Sequence, residues 1–191
     1  MARKSNARVR ILETAGALFN ERGYTEVGIN EIIEKAETAK ATFYQHFPSK
    51  ADLCEAWLEA VHERSERNRA EILRAPGEVI DKIDDYFRNL GAYMETGCFR
   101  GCPYSNTGAV MSEPTHCGIR RQIERHKVSI RDFFQALAHK VTGESSTALE
   151  LGNSLFVLYS GGASEAQNLR ELWPIETARV TARTLCELKR H

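Results

Sequence analysis

Two stretches of the 191-residue sequence concentrate side chains able to do chemistry. The first is Gly97-Cys98-Phe99-Arg100-Gly101-Cys102-Pro103-Tyr104-Ser105-Asn106, where two thiols sit near a guanidinium and a helix start follows Pro103. A neighbouring cation and a helix N-terminus both activate a thiol, which makes Cys98 or Cys102 a candidate sensor of oxidants or electrophiles. Paired with His116 or His126 as base, the same thiols would serve a small cysteine-dependent enzyme. That chemistry also needs an acid to orient the imidazole, and no Asp or Glu is spaced for it. Cys98, Cys102, His116 and Cys117 are zinc-ligand types, but the three-residue gap and the adjacent His-Cys pair do not match a tetrahedral pattern. The sequence therefore implies no catalytic residue, no metal and no cofactor. Cys54 and Cys186 fall in helical apolar patterns and read as small core residues. Five cysteines, an odd number, argue against a disulfide framework.

The second stretch is Lys40-Ala41-Thr42-Phe43-Tyr44-Gln45-His46-Phe47. Ala39, Phe43 and Phe47 recur at helical spacing and can bury one side. The other side offers small and polar groups able to reach bases and phosphates. Charge points the same way. The chain is neutral overall, with 26 basic and 26 acidic residues, yet the first ten residues hold Arg3, Lys4, Arg8 and Arg10 and no acid. Such an arm suits a polyanion. Composition excludes other classes: 42% hydrophobic and 27% charged residues are ordinary for a globular chain. The longest apolar run, Leu155 to Tyr159, is far below the ~20 residues of a membrane span. No signal-peptide pattern follows the basic start. A cytoplasmic protein without a membrane partner is expected.

Periodicity reads as helices throughout. Ile11, Ala15, Leu18 and Phe19 mark a first helix ending at Gly23, and Ile29, Ile32, Ile33 and Ala36 a short second. The third carries Ala39, Phe43 and Phe47 and stops at Pro48. Ser49-Lys50-Ala51-Asp52 is a capping-box-like start for a fourth, which turns very polar from His62 to Arg74 and reads as a solvated connector. Pro76 opens a fifth helix with Ile80, Ile83, Phe87, Leu90 and Met94 on one stripe. A short sixth element runs to Glu113-Pro114, and a long seventh ends at Gly143. Thr147-Ala148-Leu149-Glu150 opens an eighth, and Pro174 lies near the start of the last. The expectation is all-α, about nine helices, divided as residues 1–50, a connector over 51–75, and 76–191.

Residues 28–47 thus hold two short helices and a tight turn, the pattern of a helix-turn-helix. Ala17-Leu18-Phe19-x-x-x-Gly23-Tyr24, Ile29-x-x-Ile32 and Lys40-Ala41-Thr42-Phe43-Tyr44-x-His46-Phe47-x-Ser49-Lys50-x-x-Leu53 resemble the DNA-binding domain of tetracycline-repressor (TetR) family regulators. The resemblance covers residues 8–60. It implies a transcriptional repressor that binds a palindromic double-stranded operator as a homodimer and is released by a small-molecule effector. It places Lys40, Ala41, Thr42, Tyr44, Gln45 and His46 on a recognition helix in the major groove and Lys50 on a phosphate. Arg3 and Lys4 of the arm would add phosphate or minor-groove contacts. Two positions depart from the family pattern. Val27-Gly28 replaces the usual hydroxyl cap of the second helix, leaving Thr25 or Asn30 to compensate, and Glu37-Thr38-Ala39 replaces the usual Gly-Val-Ser turn.

For residues 76–191 the resemblance implies effector binding and dimerisation. Candidate effector-lining residues are Tyr86, Leu90, Tyr93, Phe99, Cys102, Asn106, His126, Phe133, Phe156 and Tyr159, aromatics with a few polar handles. Leu151, Leu155, Leu158, Gly162, Leu185 and Leu188 on the last two helices are the candidate dimer interface. Gly152 and Gly161 would permit close helix approach there. An alternative within the same family is a repressor that senses oxidants or electrophiles through Cys98 or Cys102.

Overall fold

The computed structural model describes residues 6–111, 117–143 and 145–190. Among them the secondary structure is helical, without a strand: α1 (Ala7–Arg22), α2 (Ile29–Lys35), α3 (Lys40–His46), α4 (Lys50–Arg74), α5 (Val79–Thr96), α6 (Pro103–Ala109), α7 (Cys117–Thr142), α8 (Ser145–Leu169) and α9 (Trp173–Leu188). The expected all-α fold is what forms. The chain divides into two compact units, Met1–Arg64 with Pro103–Arg125, and Ser65–Cys102 with His126–His191. α4 and α7 each contribute residues to both.

In the first unit α1 is capped by the Asn6 side chain, which accepts from the Arg8 N–H at 3.2 Å. The helix buries the expected face, Ile11, Ala15, Leu18 and Phe19. Its next residue, Gly23, takes φ +91° and donates its N–H to the Phe19 carbonyl at 2.9 Å. Trp57 of α4 lies against α1 so closely that a Cβ on Gly16 would come within 2.8 Å of its ring. The indole also tilts onto Phe19 with centroids 5.5 Å apart. Ser49 closes α4 as expected, accepting from the Asp52 N–H at 3.1 Å and donating to its carboxylate at 2.7 Å. Leu53, Cys54 and Leu58 complete this core, and the buried Tyr104 hydroxyl of α6 donates to the Leu58 carbonyl at 2.6 Å.

The second unit is built on α5, α8 and α9 with the later parts of α4 and α7. The predicted α5 stripe, Ile80, Ile83, Phe87, Leu90 and Met94, is buried. Phe133, Phe134, Leu137, Leu151 and Leu155 meet Ile80, Ile83 and Phe87 in one cluster, while Leu90 and Met94 join Ala163, Ala166 and Ile175 in another. α7 and α8 pack tightly enough that a Cβ on Gly152 would fall 2.6 Å from the Gln135 Cα. At the edge of this core Asp84, 3% exposed, collects three arginines: Arg179 at 2.5 Å, Arg88 at 2.8 Å and Arg183 at 3.9 Å. α5 and α9 are held in register by this shared carboxylate. Hydrogen bonding to Glu176 and Asp84 raises the pKa of Arg179 further above its usual value.

Three expectations are corrected. α8 begins at Ser145, so Thr147 is not its cap, and α5 begins at Val79, with Pro76 in the preceding turn. The stretch from His62 to Arg74 is not simply solvated, because His62 and Arg69 are both buried. Ile72 and Leu73 also pack on the second unit's core. Glu113 and Pro114 lie outside the described residues.

Removing one partner from a buried ion pair strands the rest, so Asp84→Ala is expected to destabilise the protein by about 2–4 kcal/mol. Urea unfolding should show a lower midpoint with little change in slope.

Candidate nucleic-acid interface

α2 and α3 are too short to persist alone and are held by what they bury. Ile32 of α2 and Phe43 of α3 are fully buried, and Phe47 nearly so, with the two Phe rings 6.4 Å apart. Ala39, expected on the buried side, is instead the exposed first-turn flank of α3. With Phe43 turned inward, Lys40, Ala41, Tyr44 and Gln45 face solvent, and Thr42 and His46 are half-buried. The Tyr44 ring packs edge-on against Phe43 at 5.3 Å yet stays 42% exposed. The structure therefore gathers all six expected residues on one short helix and presents four of them fully.

Basic residues around α3 are used in ways the sequence did not show. Arg10, expected in a basic arm, is part of α1 and reaches the interhelix turn, donating to the Ala36 carbonyl at 3.2 Å and the Glu37 carbonyl at 3.4 Å. Arg8 lies over the Phe47 ring at 5.3 Å. Lys50 turns toward Tyr24, 4.4 Å above its ring, and donates to the Thr25 carbonyl at 3.4 Å. Partial burial lowers the pKa of Lys50, while burial raises that of Tyr24. Glu31 of α2 is bound by Arg22 and, at 3.2 Å, by Lys35. The hydrogen bond from Arg22 chiefly holds the Glu31 carboxyl below its usual range. Arg3 and Lys4 lie outside the described residues.

The two departures in the sequence pattern fall at the start of α2 and in the turn between α2 and α3. Gly28 and Ala39 flank the starts of α2 and α3 without any side-chain cap. Glu37 takes φ +48°, a left-handed conformation that costs a side-chain-bearing residue about 1–2 kcal/mol. Arg10 adds side-chain hydrogen bonds to this turn, beside the backbone ones from the Glu37 and Thr38 N–H groups to the Glu34 and Ile33 carbonyls.

The other candidate residues spread over both units. Asn106 is on α6 in the first unit, whereas Tyr86, Leu90, Tyr93, Phe99, Cys102, His126, Phe133, Phe156 and Tyr159 belong to the second. Tyr86, Phe133 and Tyr159 pack on one another, with Tyr86 4.8 Å from Phe133 and 5.3 Å from Tyr159. Leu90 and Phe99 join a neighbouring cluster, and Phe156 lies against the main one. Tyr93 is largely exposed and donates to the Gly101 carbonyl at 3.4 Å. Cys98 and Phe99 occupy a turn at φ +51° and +57°, and Cys102 Sγ is 3.7 Å from Lys127 Nζ. Cys54 is buried with its thiol pushed up to about 12 by burial, and Cys186 likewise to about 11. His116 lies outside the described residues.

Leu151 and Leu155 lie in the protomer's own core, and Leu158 and Leu185 pack partly against it. The close approach at Gly162 is to Ala178 and Ile175 of α9 in the same chain, and that at Gly152 is to α7. Of the expected interface set only Leu188 is strongly exposed. The outward apolar residues of α8 and α9 are instead Leu149, Val157, Leu169, Trp173, Val180 and Leu188. An apolar period alone does not say which of two apolar faces on one helix meets its own core.

Residues 11–57 match the model of bacterial regulatory proteins of the tetR family. The repressor NemR of Escherichia coli K12 is 25% identical over 179 residues, covering 91% of this chain and 90% of NemR. The regulator LmrA of Bacillus subtilis is 36% identical over 98 residues, about half of either chain. The crystal structure of a TetR-family transcriptional regulator from Streptomyces coelicolor superposes with a TM-score of 0.83 and 26% identity, covering 96% of this chain and 95% of that one. Residues 11–57 therefore carry a segment of the tetR regulatory type.

Within this tetR-like segment the glutamate in the turn is unfavourable twice, by its backbone angle and by its charge beside the exposed face of α3. Glu37→Gly is expected to raise stability by about 0.5–1 kcal/mol, after the entropy that glycine adds to the unfolded chain. It should also tighten DNA binding, the gain shrinking as salt is raised. Thermal melts and salt titrations of DNA binding check both parts.

Proposed function

We propose that the protein is a transcriptional repressor that binds a palindromic operator as a homodimer and leaves it when a small molecule binds. The observation that carries this reading is the α3 surface. Lys40, Tyr44 and Gln45 stand exposed on a helix anchored by Phe43 and Phe47, in the segment that matches the tetR regulatory family. Lys40 is of a type that donates to guanine O6 and N7, Gln45 of a type that pairs with adenine, and the Tyr44 and Thr42 hydroxyls suit phosphates. One such helix reads too little sequence. Two, related by a twofold axis, meet half-sites about 34–36 Å apart.

Support for the dimer comes from α8 and α9. Leu149 and Val157 project from one, and Trp173, Val180 and Leu188 from the other at near-heptad spacing, with Val157 65% and Leu188 77% exposed. The Gly161 position has open space beside it, as a close helix crossing needs. Exposed apolar residues gathered on two adjacent helices mark an interaction face.

Selection of bound DNA from a random pool tests the proposal. The expected product is an inverted repeat, bound with salt-dependent affinity and lost in Lys40→Ala and Tyr44→Ala while their melting temperatures stay near that of the unaltered chain. Val157→Asp should give a monomer by light scattering and weaken operator binding at least tenfold. Recovery of no preferred sequence overturns the reading.

A second reading, release by thiol modification, is favoured by the placement of Cys98, exposed in a left-handed turn, and of Cys102, beside Lys127. The E. coli NemR structure that superposes with a TM-score of 0.79 at 24% identity is of its reduced form. With iodoacetamide a sulfur–carbon bond forms, iodide leaves and the thiol proton goes to solvent. Under this reading mass spectrometry finds Cys98 and Cys102 alkylated before Cys54 and Cys186, with loss of operator binding that Cys98→Ser or Cys102→Ser prevents. Alkylation without any change in DNA binding removes it.

A further inference from the structure

Arg69, on the later part of α4, is 3% exposed. Among the described residues it has no carboxylate partner. Its Nη1 donates to Ser65 Oγ at 2.5 Å and its Nη2 to Ser129 Oγ at 2.8 Å, and its third side-chain partner is the Tyr86 hydroxyl. All three acceptors are neutral. Burial raises the pKa of Tyr86, and raises that of Tyr159, stacked on it, well above the usual value, so neither phenol supplies a negative charge at neutral pH. A buried cation hydrogen-bonded only to hydroxyls is an expensive arrangement that an anion would relieve.

There is room for one. Arg69 and Ser129 line a groove of about 390 Å³ between α4 and α7, whose apolar wall is made by Ala70, Leu73, Phe133 and Ala136. That volume is within the range of about 300–1,000 Å³ common for small-molecule sites. Two carboxylates stand at the rim, both exposed. Asp132 is paired with Arg131 at 3.0 Å, and Glu66 accepts from the Ser129 hydroxyl at 3.1 Å. Charges in solvent are screened, whereas the Arg69 guanidinium at the floor is not.

We propose that this groove binds a small organic carboxylate, its carboxylate on the Arg69 fork and its apolar body against Phe133 and Leu73. A planar guanidinium suits a carboxylate bidentately and fixes its orientation. The ligand reaches α4 directly, and α4 is the helix whose earlier residues carry Trp57 and Lys50 in the unit that holds α3. In taking the carboxylate as the effector, the inference rests on the repressor reading above.

Melting temperature and operator binding of the full chain are measured at fixed ionic strength with benzoate and hexanoate, and with benzyl alcohol and hexanol as neutral counterparts. The expected result is a rise of about 2–4 °C at saturating carboxylate, with operator affinity weakened at least tenfold and no effect of the alcohols. Arg69→Met should melt no lower than the unaltered protein and lose the carboxylate response. Arg69→Lys, which keeps the charge without the fork, should retain it at reduced affinity. Equal effects of acids and alcohols, or no effect of either acid on a protein that binds its operator, overturn the carboxylate site and leave the repressor reading standing. Stabilisation by the acids in a protein that selects no operator keeps the site and overturns the repressor reading. An Arg69→Met chain that melts lower, together with an Arg69→Lys chain that responds to neither acid, makes Arg69 a strut of the fold and also overturns the site.

Discussion

The orientation of α3 depends on the burial of two phenylalanines. A helix of seven residues gains too little from its own hydrogen bonds to survive in water. Here Phe43 and Phe47 supply the missing stabilisation and also decide which way every other side chain of the helix points. α1 contributes twice to that arrangement, through Arg8 over the Phe47 ring and through Arg10 on the carbonyls of the α2–α3 turn. The exposed surface of α3 is therefore a by-product of the core packing beneath it. A cavity made at Phe43 would disorder that surface without touching one of its exposed residues.

The second unit treats its buried charges in two contrasting ways. Asp84 is surrounded by three guanidiniums, and the surplus of positive charge runs out to Asp81, Glu176 and Glu187 at the surface. This network joins α5 to α9 and is complete in itself. Arg69 is equally inaccessible but meets only hydroxyls. Within one fold of this size, a charge paired with counter-charges and one bonded only to hydroxyls mark different purposes: the first fastens helices, and the second is the one proposed to take an anion.

Much of this was legible in the sequence, and the failures have physical causes. The inward stripes of α1 and α5 emerged at the residues their spacing indicated, because each has a single apolar face and a polar back. The helix-turn-helix was readable because its residues are constrained together, the spacing of Phe43, Phe47 and Leu53 included. α8 and α9 carry apolar residues on two sides, so Leu151 and Leu155 could not be told from Leu149 and Val157 before the core was assembled. The end of α4 departs from its polar pattern because Arg69 is a charged residue in a polar run, and its hydrogen-bond partner Ser129 lies sixty positions later. Arg10 looked like part of a basic tail because its acceptors are backbone carbonyls, which leave no trace in residue type.

The packing of Trp57 onto Gly16 has an optical consequence. The chain has two tryptophans. One indole is sheltered in the first unit at 7% exposure, and the other, Trp173, opens to solvent in the second at 57%. In the single chain their fluorescence should separate into a blue component shielded from iodide and a red, quenchable one, and pairing through α8 and α9 should shelter the second. The protein thus carries a native spectroscopic label for each half of its chain, and events at the two ends can be followed independently without attaching a dye.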